Sequence, residues 1–200
     1  PSQTAGQPWN LLHRVAFRFC VVYFGLYCLL SQIINAVLVI PKLEIPDWGT
    51  LPPIRQVVFW VAAHVFYQKT PLVYSGSGSG DKVYDWVLVF CIFATAVVAT
   101  AVWSVLDRRH GSFPTLYRWF WLFLRFCLGG QMLVYGFVKA FPLQMPYPFL
   151  SRLVERFGDR SPMGVLGWSV GAAPHYETFA GCSKLLAGVL LGFPRIITPG

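Results

Sequence analysis

The chain is poor in charge. Asp, Glu, Lys and Arg together make up 12% of its 200 residues, about half the share usual in a globular protein. A soluble fold of this length needs a charged shell, and sixteen basic and eight acidic side chains cannot supply one. That excludes a cytosolic enzyme, a disordered tail and a coiled coil. Paired thiols are lacking too. Cys20, Cys28, Cys91, Cys127 and Cys182 all fall inside apolar stretches, with no CxxC spacing, and an odd count cannot close into a full disulfide set. They read as small buried apolar side chains, which argues against thiol–disulfide chemistry. No secretory signal, GxSxG, P-loop, dinucleotide fingerprint or zinc motif is visible.

Histidine is sparse where a haem would need it. Transmembrane haem ligation takes histidines facing each other from within spans, whereas His13 and His110 fall in basic segments and His64 and His175 in the other connections. A metal site from His64, His175 and Glu177 has no ligand spacing behind it. The formal charge of +8 does not mark a nucleic-acid partner, because the basic residues are scattered between apolar runs and not gathered on one face.

What is present is hydrocarbon. Apolar residues are 56% of the chain and the mean hydropathy is +0.55. A bilayer core needs roughly 20 apolar helical residues, because backbone polar groups must be satisfied internally. Residues 19–40 and 86–106 are uncharged runs, each bounded by charge or proline. Two further spans are expected at 117–138, with Arg118 and Arg125, and at 176–193, with Glu177 and Lys184. Pro174 suits the first turn of the last one. The expected fold class is all-α: a transmembrane helical bundle of four spans, a single domain over 1–200 with outer loops 41–85 and 139–175. Short interfacial helices are expected in those loops.

Residues 54–67 are apolar but too short to span, so they are read as a helix at the interface or packed over the bundle. Residues 75–80 (SGSGSG) form a flexible linker by composition. Leu150, Leu153, Val154 and Phe157 recur at helical spacing, with Gly158 as the cap, and Ser161-Pro162 opens a second short helix toward Trp168. The eight tryptophans and nine tyrosines fit interfacial anchors. The start at Pro1 and the stop at Gly200 raise the expectation of a fragment of a longer protein.

Charge sets an expected orientation. Segments 1–18, 107–118 and 194–200 hold six basic residues and one acid, whereas 41–85 and 139–177 hold eight basic and seven acidic ones. The positive-inside rule then places both termini in the cytoplasm.

Polar groups at membrane depth are costly and so have a partner or a task. Arg125, Gln131, Tyr135 and Lys139 form a polar stripe on the third span. Glu177 and Lys184 stand two turns apart on the fourth. A Lys139–Glu177 pair is expected at the outer boundary. Gly129, Gly130 and Gly136 allow close helix approach. The stripe is read first as bonds that fix helix register. Its alternative is a pocket for a ligand such as a quinone, and ion or proton translocation is a third reading.

The stretch LRFCLGGQMLVYGFVKAFP, Leu124 to Pro142, resembles the DoxX-like family of four-helix membrane proteins, in which an Arg, a Gly and a Gly-x-x-Lys follow one another on one helix. Arg125, Gly129 and Gly136 to Lys139 match in order. The stretch YETFAGCSKLLAGVLLGFPR, Tyr176 to Arg195, resembles that family's closing helix at Gly181, Gly188 and Arg195. Where the family commonly carries an acid before its last apolar run, this chain has Lys184, with Glu177 two turns earlier. The resemblance covers the second half of the chain. It implies a bacterial inner-membrane protein linked to membrane redox chemistry, such as a subunit of a quinone-linked oxidoreductase. It equally implies a non-catalytic structural or assembly subunit that partners other membrane proteins and lipid. No catalytic constellation is visible.

Overall fold

The computed structural model describes residues 9–31, 33–37, 47–74, 82–107, 112–145, 147–159 and 162–193. Every regular element among them is helical. Three helices are long and apolar enough to cross a membrane: α1 (Leu11–Leu30), α4 (Val83–Leu106) and α5 (Pro114–Ala140). They mark a membrane protein. The remaining helices are α2 (Ile33–Val37), α3 (Pro52–His64), α6 (Leu150–Leu153), α7 (Pro162–Gly171) and α8 (Pro174–Gly192), with 3-10 turns at Trp48–Thr50 and Phe157–Asp159. The SGSGSG linker, Arg108, Arg109, His110 and Arg195 lie outside the described residues.

The chain divides into two compact units, Pro1–Leu124 and Arg125–Gly200, so that the division falls inside α5. In the first unit α4 is the centre. Its Tyr84, Val87, Leu88 and Ile92 bury against Val58 and Ala62 of α3, while Tyr23, Leu26, Tyr27 and Leu30 of α1 pack beside them. Most of the 54–67 run therefore lies in a helix packed on α4, Pro52–His64, about 20 Å long at 1.5 Å per residue. α3 begins on the proline pair Pro52-Pro53, where the missing N–H groups would have been unsatisfied anyway. It closes through Tyr67, a non-glycine residue at φ 50°, with the Gln68 amide donating to Ala62 O at 3.0 Å. That is a left-handed helix end normally given to glycine.

Two boundaries differ from the sequence expectation. The first span was expected at 19–40, but α1 starts at Leu11 and stops at Leu30. Arg14 and Arg18 lie within the helix and do not precede it, since a helix tolerates a charge whose partner is supplied from elsewhere. It stops at Ser31, whose Oγ accepts the Ile33 amide at 3.4 Å and so offers the backbone a local alternative to continued helix. The Leu150–Phe157 periodicity yields only one turn of α6, and Gly158 sits inside a 3-10 turn and caps no longer helix. Leu150, Leu153, Val154 and Phe157 are all exposed, and without a surface to bury an apolar stripe a short helix is marginal.

In the second unit α5 and α8 run antiparallel along a glycine seam. A Cβ on Gly136 would lie 2.8 Å from Leu185 Cγ, and one on Gly188 would lie 3.1 Å from Leu133 Cγ. A Cβ on Gly181 would fall on the backbone of Ala140. Missing side chains let these backbones touch, the packing expected of Gly136, whereas a Cβ on Gly129 would meet nothing nearer than 3.8 Å. α8 carries His175, Glu177, Thr178, Ser183 and Lys184, and it is not among the three helices apolar enough to cross a membrane.

Candidate functional site

The polar stripe is spread along the α5–α8 pair. Arg125 Nη2 donates to Leu191 O at 2.6 Å. The last turn of a helix leaves carbonyls unsatisfied and carries partial negative charge, so a guanidinium there satisfies both. Arg125 thus fastens the end of α8.

Glu177 fastens the beginning. It lies in the first turn of α8, where the helix dipole favours an anion, and it is 1% exposed. Its Oε1 accepts the Met145 amide at 3.1 Å, while its Oε2 is buried with no hydrogen-bond partner. The expected Lys139–Glu177 pair does not form. α5 ends at Ala140 and the chain turns back, which brings the Met145 amide, and not the Lys139 ammonium, to the carboxylate.

Between these two ends, Lys184 Nζ stands 5.8 Å from the ring centre of Tyr135, a cation–π contact. Lys139 and Gln131 are half-buried on α5. Neither Lys139 nor Lys184 makes an ion pair among the described residues, where Arg18–Asp107 is the only one. Residues 177 and 191 are about 21 Å apart along the α8 axis at 1.5 Å per residue. Arg125 and Glu177 therefore hold opposite ends of one helix and do not share a pocket. The structure brings Tyr135 and Lys184 together, and it binds Arg125 and Glu177 to backbone groups.

Sequence reasoning missed two features of the first unit. The first is Arg18, 2% exposed. Its Nη2 donates to Asp107 O at 2.7 Å and to Asp107 Oδ2 at 3.2 Å. Its guanidinium lies 5.2 Å from the ring centre of Phe113 and 5.6 Å from that of Trp103. The signal was available, because Asp107 is the lone acid among six basic residues in its set of segments.

The second feature is a cavity of about 160 Å³ where the end of α1, the Trp48–Thr50 turn and the first turns of α4 meet. No sequence spacing announces it, since its walls come from residues as far apart as Tyr27 and Ile92. A wider apolar groove of about 650 Å³ runs between α1 and the first half of α5, with Phe17, Phe24, Phe120 and Trp121 along it and Asn10 and His13 at its rim.

His64 stacks on Trp60 and its Nδ1 lies 2.9 Å from Trp60 O. Among the described residues no three His, Cys, Asp or Glu gather closely enough to hold a metal ion, and the five cysteines form no disulfide with one another. No protein-family model, curated protein or solved structure matches this chain.

Proposed function

We propose that this chain is a four-span membrane protein, with α8 as the fourth span, serving as a non-catalytic structural or assembly subunit of a larger membrane complex. In this reading both termini are cytoplasmic, 41–85 and 139–175 face outward, and the membrane is a bacterial cytoplasmic one, as a DoxX-like relationship implies. One observation carries it. The two charged groups best suited to chemistry, Arg125 and Glu177, are bonded to backbone groups at the ends of α8. Such bonds build a rigid helix pair and leave those side chains little to offer a substrate.

Lys184 then has the remaining role. A lysine in the middle of a span is expensive, by about 3 kcal/mol on insertion scales, and Tyr135 offsets only part of that. A carboxylate on a helix of a partner subunit would supply the rest. Gentle detergent extraction of the native membrane, followed by identification of what co-purifies, tests this. The expected outcome is a stoichiometric membrane partner, lost in Lys184→Ala and retained in Lys184→Arg. A chain that extracts alone and stays monomeric overturns the reading.

A second reading, a DoxX-like subunit of a quinone-linked oxidoreductase, is favoured by the groove between α1 and α5, whose aromatic length and His13 rim suit an isoprenoid quinone. Co-extracted quinone, lost when Trp121→Ala leaves the fold intact, would support it over the first.

A further inference from the structure

The 160 Å³ cavity in the first unit is bordered by two carboxylates. Leu30, Leu88 and Ile92 form its apolar part, while Ser31, Asp47, Thr50 and Asp85 form its polar part beside Tyr27, Tyr74 and Tyr84. No lysine or arginine is among its described lining residues. Asp47 is held by a neutral donor, Asn35 Nδ2, at 2.8 Å from Oδ1, and it makes no ion pair with any described residue. Its position is thereby set, with no counter-charge on it among the described residues.

Two further features act in the same direction. α1 ends at this cavity with no basic residue in its last turn, so the partial negative charge of its carbonyl end faces the space without a side-chain counter-charge. The tyrosine rings add faces that attract cations. Tyr74 already carries the Arg55 guanidinium at 4.7 Å, Tyr84 is fixed by its hydroxyl bond to Gly49 O at 2.6 Å, and Tyr27 stacks on Tyr23 while bordering the cavity. A metal ion finds two carboxylates and no third ligand of the usual kind.

The volume is close to the roughly 150 Å³ that accommodates a benzene-sized molecule, and the apolar part suits a short hydrocarbon arm. We propose that this cavity binds a small organic ammonium group, a protonated primary amine or a quaternary ammonium. The cationic head lies toward Asp47 and Tyr27, and the carbon arm lies on Leu88 and Ile92. A free amine and the head group of an amine-bearing phospholipid share this chemistry. The inference is independent of the subunit reading above.

The test uses the full chain in lipid nanodiscs. Calorimetric titration with ethanolamine and choline is expected to saturate, and 3,3-dimethylbutanol, the uncharged isostere of choline, is expected to bind at least about ten-fold more weakly, as loss of a charge-assisted contact implies. Asp47→Asn should weaken ammonium binding by a similar factor at an unchanged melting temperature. Val89→Phe, which fills the cavity and leaves both carboxylates, should abolish it and decides the matter if Asp47→Asn loosens the fold.

Native mass spectrometry separates the two sources. Selective, Asp47-dependent retention of phosphatidylethanolamine over phosphatidylglycerol identifies a lipid head group. Binding of soluble amines whatever the lipid identifies a free ligand. The proposal is overturned if no ammonium probe saturates and no amine lipid is retained, if the neutral isostere binds equally well, or if Val89→Phe binds unchanged.

Discussion

Arg18 shows how one residue can tie distant parts of the chain together. A guanidinium 2% exposed has lost most of its water, and Asp107 and two aromatic rings take the water's place. Removing one member of such a buried pair leaves the other uncompensated. Arg18→Met or Asp107→Asn should therefore destabilise the protein by about 3 kcal/mol in detergent unfolding, and the double variant by less than the sum of the two. Glycine supplies a second residue-scale contrast. Gly181→Ala drives a methyl onto the Ala140 backbone and should destabilise by about 1–3 kcal/mol. Gly25→Ala meets nothing within 4 Å and should be neutral or stabilising by up to about 1 kcal/mol. Paired thermal melts in one detergent check both.

At the scale of elements, α8 is held at both ends by α5 and the chain that follows it. Arg125→Gln should lose the charge-assisted bond to Leu191 O, worth about 1.5–3 kcal/mol. Amide hydrogen exchange at Leu191 to Phe193 should quicken while that at Phe179 to Ser183 stays slow. At the other end the distinction is finer. Glu177→Gln retains an acceptor for the Met145 amide and should leave exchange there protected, whereas Glu177→Ala should expose it. If both variants behaved alike, the carboxylate would not be what holds the 141–145 segment. α6 teaches the opposite lesson. Its apolar spacing is helical, yet with every apolar residue exposed the helix stops after one turn.

For the whole molecule, the outward side chains of α4 are the relevant surface. Phe90, Phe93, Val97, Val98, Val102 and Val105 are exposed, a surface suited to lipid and unsuited to water. The proposed orientation is tested on this scale. With the native cysteines replaced by alanine or serine, Ser77→Cys should react with a membrane-impermeant maleimide from outside intact cells, and Ser112→Cys only after permeabilisation. The reverse pattern would invert the topology, and labelling of both from one side would remove a span between them.

How much of this was legible beforehand varies by element. α4 was plain, because an uninterrupted apolar run longer than 20 residues has one common use, and Asp85 at its first turn accepts the Lys82 amide as an N-terminal acid should. Gly136 of α5 was read correctly as a close-approach point. α1 was misplaced because Arg14 and Arg18 resembled membrane-edge charges, and only Asp107, 89 residues from Arg18, made a helical position tenable. Glu177 was assigned the wrong partner because a side-chain pattern says nothing about a backbone amide 32 residues away. Composition and run length by themselves determined that the chain is helical and belongs in a membrane, since those properties follow from the cost of unsatisfied backbone groups in hydrocarbon. Which charges meet, where α1 stops and that two carboxylates border a small cavity were decided by tertiary structure alone. Each depends on groups far apart in the chain reaching hydrogen-bonding or van der Waals distance, and no local pattern encodes such a meeting.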